Sequence, residues 1–330
     1  MESAVRRRTA RRAALDHVLS LIADAPWSDS LVLRGSMVMS AWAGSAAREP
    51  GDLDFVVLPE LAIPIDPLHP YPHLERMDVI QQWPEAADGA AQYEIWKDGE
   101  EEFETQGTRP RVPPEGLRWD IAPDPMESVP AYDDLIDLVR RQPEAAPGVV
   151  LDADAARQDG NWAYAYSGYD TAGIRVVIPW QAEALSPGEV QLDFALDERL
   201  PQPPVWTRVP RGDGGPPPVV RTASRELSLA WKILWLHADG AAGDTAQCKD
   251  LYDAVLLAED DHTKLSPRLL RKVLRHPAVH TGPDDLRLDT VQFEETDWAA
   301  FRADHPGVQG SAEDWLQRLS MALAPVFAGL

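Results

Sequence analysis

Asp52 and Asp54 stand one residue apart at the head of the run Asp52-Leu53-Asp54-Phe55-Val56-Val57-Leu58. Side chains at i and i+2 of a strand share a face, so both carboxylates project together while Leu53 turns into the core. Carboxylates held that close repel each other unless a positive charge lies between them. A hard divalent cation that takes oxygen ligands and shares its shell with phosphates is the natural partner. Such a pair can clamp Mg²⁺ on the oxygens entering and leaving a phosphoryl centre. A third acid is needed to complete the metal shell and receive the nucleophile's proton. Asp193 suits that role, lying mid-strand in Val190-Gln191-Leu192-Asp193-Phe194 among apolar neighbours. Asp120 and Asp170 are weaker alternatives, Asp120 because a proline closes its segment early.

Upstream, Gly35-Ser36 follows the short apolar run Ser30–Leu33 and precedes Met37–Ala43, which reads as the start of a helix. Glycine at a strand end permits close approach of a triphosphate. The Ser36 hydroxyl and the first amides of the helix can receive its negative charge.

These side chains require a scaffold, and the chain has the pattern for one. Arg6–Asp24 carries Leu15, Val18, Leu19 and Ile22 at helical spacing, and Pro26 stops it. Strand signals occur at Asp52–Leu58, Gly148–Leu151, Trp162–Ser167, Gly173–Trp180 and Val190–Leu196, with Tyr169–Gly173 expected as a hairpin turn. Residues 59–147 are dense in Pro, acidic residues and Trp, with one helix at Tyr132–Arg141, and read as an insertion or lid. Leu200–Pro218 has linker composition. Helical periodicity then governs Ser224–Ala238, Lys249–Ala258, Ser266–Arg275 and Glu313–Leu323. The expected fold is α+β: a mixed sheet with flanking helices over residues 1–215, interrupted by the insertion, then a helical domain over 219–330.

The order hydrophobic-Gly-Ser, helix, Asp-x-Asp resembles the nucleotidyltransferase superfamily of the DNA polymerase β type. Within it the chain is most similar to the AbiEii/AbiGii-type toxin family of bacterial type IV toxin–antitoxin systems. The matching residues are Leu33–Trp42 (LRGSMVMSAW) and Arg48–Phe55, with Arg48 four residues before the acids. A helical Lys followed by Arg-Asp-x-x-Asp has its counterpart in Lys232 and in Lys249–Leu257 (KDLYDAVLL). The likeness covers residues 30–58 and 186–258. It departs from the usual pattern in the fifteen residues between Ser36 and Asp52, and in Lys249 where Arg is customary. The resemblance implies a nucleotidyltransferase-like fold that moves a nucleoside monophosphate from an NTP to an acceptor hydroxyl or phosphate. It implies Asp52, Asp54 and Asp193 as catalytic and Mg²⁺-holding residues, and Gly35, Ser36, Arg48, Lys232 and Asp250 as the nucleotide-binding set. Lys232 would touch phosphate, and Asp250 would order the helical domain or the site. The implied partners are an NTP, an acceptor (a tRNA end, a protein or a small molecule) and an antitoxin protein.

Composition narrows the field further. Across 330 residues, 31 Lys and Arg against 54 Asp and Glu leave a net charge of −23. A field of that sign repels phosphodiester backbones and disfavours broad nucleic-acid binding. Arg6, Arg7, Arg8, Arg11 and Arg12 offer a local basic face that could meet one RNA end, or simply a solvated helix. The same acidity would attract a cationic small-molecule acceptor, as in aminoglycoside-modifying relatives. A third reading retains the fold as a binding or regulatory module without catalysis. The single cysteine, Cys248, excludes an internal disulfide and a Cys-based zinc site. The apolar runs are too short to span a bilayer and no clean signal peptide is present, so a cytoplasmic protein is expected.

Overall fold

The computed structural model describes residues 2–58, 132–159, 163–166, 169–196, 200–275, 286 and 288–330. The insertion's residues 59–131, and with them Asp120, lie outside the described residues.

A mixed sheet forms the centre, and its middle strands carry Asp54 and Asp193. β1 (Leu31–Arg34) pairs antiparallel with β2 (Leu53–Val57), and β2 pairs parallel with β8 (Gly188–Ala195). β8 pairs antiparallel with β7 (Tyr169–Ala182), which continues to β4 (Val149–Leu151) and β3 (Glu144–Ala146). On the other side β1 pairs parallel with β10 (Val219–Thr222), whose antiparallel neighbour β9 (Val205–Arg208) forms the edge. β5 (Arg157–Asp159) and β6 (Ala163–Tyr166) also pair with β7.

The alternation of each central strand divides its residues between two apolar layers. Leu31, Leu33, Leu53, Phe55, Leu192 and Phe194 face a cluster built with α1 (Glu2–Ala23) and α3 (Tyr132–Arg141). Phe55 stacks on Phe194 with ring centroids 5.5 Å apart, which pins β2 against β8 on that face. Val32 and Val56 point the opposite way, into a cluster with α4 (Arg225–Ala242), α5 (Cys248–Glu259) and the helices beyond. α2 (Ser36–Ala43) joins the two layers, with Met37 and Val38 in the first and Met39 in the second.

Helix ends follow their local chemistry. The Ser224 hydroxyl accepts from the Leu227 amide to cap α4, and Gly243 closes it at φ 75°. Ser266 caps α6 (Pro267–Leu274), with proline at its first position. Ser311 and Asp314 form a reciprocal capping box on α8 (Ala312–Phe327). α7 (Glu295–Asp304) had no clear periodic signal, because it buries only Trp298.

The structure corrects several expectations. Tyr169–Gly173 is not a turn: it lies inside β7, whose pairing with β6 begins at Tyr166↔Tyr169. Residues 205–208, inside the stretch read as linker, form an edge strand. Residues 132–146, read with the insertion, place α3 and β3 in the core, with Leu135 and Val139 fully buried. Of the basic face on α1, Arg6 and Arg8 are exposed, while three arginines tie neighbouring segments together. Arg7 donates to the carbonyls of Ser186 and Pro187, Arg11 to that of Gly51, and Arg12 to Pro210 and Asp16. Among the described residues, no helix is long and apolar enough to cross a membrane.

Candidate active site

Four charged residues stand in register across the middle of the sheet. Arg34 on β1 pairs with Asp54 on β2, Asp54 with Asp193 on β8, and Asp193 with Arg175 on β7. Paired residues of adjacent strands share a face. The row therefore reads Arg-Asp-Asp-Arg on the side facing α4 and α5. Asp52 joins it from the residue just before β2. Ligand oxygens of Asp52, Asp54 and Asp193 all lie within 4.8 Å of one another.

The Gly35-Ser36 turn holds this geometry. Gly35 has φ 76° and ψ −153°, a backbone region essentially reserved for glycine. A Cβ built on it would overlap Oδ2 of Asp54, so the glycine makes room for the carboxylate itself. Ser36 is buried; its hydroxyl reaches Oδ1 of Asp52 at 3.4 Å and accepts from the Gly51 amide at 3.3 Å. It thus ties the loop before β2 to the start of α2.

Asp54 carries the strain of the cluster. Burial, then the neighbouring charges of Asp52 and Asp193, push its carboxyl up to about 8, against the opposing pull of Arg34 and Lys249. Arg34 is itself buried, 5.3 Å from the Trp231 ring and 5.9 Å from that of Trp235 on α4. Its aromatic bed fixes a cation beside Asp54. At the other end Arg175 grips Asp193 with two hydrogen bonds, Nε to Oδ1 at 2.7 Å and an amino nitrogen to Oδ2 at 2.9 Å. Gln191 donates a further bond to Oδ2 at 2.9 Å.

Arg48, Lys232 and Asp250 form an adjoining buried charge cluster with Asp253. Lys232 donates to Asp250 and lies 3.5 Å from Asp253, which also receives Nε of Arg48 at 3.1 Å. Burial works against the ionised Asp250, but Lys232, Lys249 and Arg48 outweigh it and hold the carboxyl below its ordinary value. Arg48 bridges the loop before β2 to α5, and the ammonium of Lys232 is buried against carboxylates. The two aspartates sit in the first turns of α5, yet both are buried acceptors of ion pairs. The structure therefore brings Asp52, Asp54, Asp193, Gly35 and Ser36 into one constellation, and Arg48, Lys232 and Asp250 into its neighbour. Asp170 is paired with Ala165, five residues along β7 from Arg175.

Sequence reasoning did not single out Arg34, Arg175 or Gln191. Gln191 could have been found from its i−2 spacing to Asp193, and Arg34 from its place before Gly35. Arg175 had no signal, because the register of β7 on β8 is not written in either segment.

Comparison with known proteins places this geometry in context. A family model described as nucleotidyl transferase AbiEii toxin, type IV TA system, matches residues 17–321. None of the curated proteins compared matches the chain.

Proposed function

The chain belongs to the AbiEii nucleotidyl transferase toxin family, and from that premise we propose that it transfers a nucleoside monophosphate from an NTP to an acceptor, with Mg²⁺ held by Asp52, Asp54 and Asp193. The family implies a nucleotidyltransferase toxin of a type IV toxin–antitoxin system. The observation that carries the proposed site is the convergence of three carboxylates, one oxygen of each within 4.8 Å of the others, around Asp54, whose ionised form burial and the two neighbouring acids disfavour. Hard oxygen donors in that number suit Mg²⁺ rather than a softer metal. When bound, the cation supplies neutralisation of the charge that develops on the α-phosphoryl oxygens.

The reaction is attack by an acceptor oxygen on the α-phosphorus. The new O–P bond forms as the bond to pyrophosphate breaks, and the acceptor's proton passes to a base. Asp193 stands beside Asp54 and is oriented by Arg175 and Gln191, which suits it to position the acceptor. Ser36 holds Asp52 and the Gly51 amide together, so that the loop before β2 does not open the cluster. Arg34 keeps a fixed positive charge behind Asp54. Catalysis of this kind rests on positioning and electrostatics.

The test is incubation of the protein with labelled NTPs and tRNA, protein or aminoglycoside acceptors, with and without Mg²⁺. Label should enter one acceptor class, and Asp54→Asn should abolish the transfer while remaining folded. Undiminished transfer by that variant would remove the reading. The net charge of −23 favours a cationic small-molecule acceptor as the second reading, and the same three arms separate it. The family's toxin–antitoxin character supports an antitoxin partner and a cytoplasmic location, and its nucleotidyl transferase character supports an NTP substrate.

A further inference from the structure

The two arginines that close the row at the sheet centre are not equivalent. Arg34 is 2% exposed and bedded between Trp231 and Trp235, so its charge cannot move without disrupting the helical layer. The Arg175 side chain is 33% exposed, while the Asp193 carboxylate it grips is 5% exposed. Its guanidinium thus grips a buried carboxylate while about a third of the side chain stays exposed. It also feels the charges of Asp52 and Asp54.

That placement has an electrostatic consequence. A dication entering among Asp52, Asp54 and Asp193 must share Asp193 with a guanidinium that repels it. A triphosphate offers that guanidinium another planar, two-pronged anionic partner. Metal alone therefore meets a competitor, whereas metal arriving with nucleotide meets a competitor with somewhere else to go.

We propose that Arg175 is a positioning residue that holds Asp193 in place of a cation and moves onto the nucleotide's phosphates, making metal binding depend on nucleotide binding. This rests on the reading of the acids as the metal site. Coupling of this kind is reciprocal, so each ligand must tighten the other by the same factor. Gln191, donating to Oδ2 of Asp193, keeps the carboxylate oriented once the guanidinium leaves.

The experiment measures Mn²⁺ binding by the loss of its free electron-paramagnetic signal. It uses the full chain, with and without a non-hydrolysable NTP analogue, after correction for Mn²⁺ held by the analogue in solution. Wild type should bind Mn²⁺ about tenfold more tightly when the analogue is present. Arg175→Gln should bind Mn²⁺ alone more tightly than wild type, with the coupling reduced to about twofold or less. Arg175→Lys, which keeps the charge and loses the two-pronged grip, should restore part of the coupling. Full coupling in Arg175→Gln, or weaker binding of Mn²⁺ alone, would overturn the inference. So would an Arg175→Lys variant that behaves like Arg175→Gln, since the effect would then lie in local structure rather than charge. If wild type takes up no Mn²⁺ with or without the analogue, the metal-site reading fails and this inference with it. Metal uptake by wild type with unchanged coupling in the variants would sink the Arg175 role alone.

Discussion

Oδ2 of Asp54 occupies the space in which any residue but glycine at position 35 would carry its Cβ. The turn and the acid are therefore one unit: the glycine-only backbone at φ 76° and ψ −153° exists so that the carboxylate can lie against it. Gly35→Ala should cost about 1–3 kcal/mol in backbone strain, with the displacement of Asp54 added to it. The measurement is chemical denaturation together with Mn²⁺ uptake. An alanine variant as stable as wild type, with unaltered metal uptake, would refute the coupling of turn to acid.

Asp54 also sets a pH dependence for the metal-free protein. Its folded-state value, pushed up to about 8 by burial and by Asp52 and Asp193, lies above its unfolded value of 3.8. The folded state therefore favours the protonated form, so this contribution to stability is complete below the unfolded value. It is lost as pH rises from about 4 through about 8. In chelator, the melting temperature should fall across that window by several degrees. Asp54→Asn should be more stable than wild type at the alkaline end and should lose less stability across the window, the residual slope coming from groups such as Asp16, whose carboxyl burial also raises. Added Mg²⁺ should restore wild type there and leave the variant unmoved. Parallel pH profiles for the two proteins would contradict this.

The Lys232 cluster should behave differently from the triad. Lys232→Met leaves Asp250 and Asp253 buried with one cation fewer, and breaking such a pair costs about 3–5 kcal/mol. The triple change Lys232→Met, Asp250→Leu, Asp253→Leu removes the charges together. It should recover much of that stability, although Arg48 would lose its partner on α5. Denaturant midpoints for the single and triple variants decide the matter, and equal losses in both would argue against a desolvated pair.

Cys248 opens α5 but is buried, and burial first, then the charge of Asp297, pushes its thiol up to about 11. The native protein should resist alkylation at neutral pH, since the thiolate is the reactive form. Mass spectrometry after iodoacetamide treatment should find the label only once the chain has been unfolded in denaturant. Rapid native labelling would show that the N-terminus of α5 opens.

Much of the site was legible in the linear chain because its parts are local. Asp52 and Asp54 share a face through strand alternation, Gly35-Ser36 announces a strand-to-helix turn, and Asp193 stands out as an acid among apolar strand residues. The family pattern pointed to Lys232 and Asp250, yet gave no hint that they bind each other rather than stand apart. The strand at 205–208 was hidden by proline-rich surroundings, and its exposed Trp206 and Val205 show none of the inward alternation of a core strand. α7 escaped notice because one buried side chain makes no periodic signal.

What the amino-acid order determined alone was the presence of the acids, the glycine that accommodates one of them, and the apolar periodicity that builds a sheet between two helical layers. Which charges meet was decided by strand register. Arg34, Asp54, Asp193 and Arg175 come from segments far apart in the chain and share a row only because four strands align at those residues. Register follows from packing both faces of the sheet at once, as in the Phe55–Phe194 stack beneath Asp54 and Asp193. No single segment carries that information, because a one-residue slip of any strand would turn its charges to the opposite face.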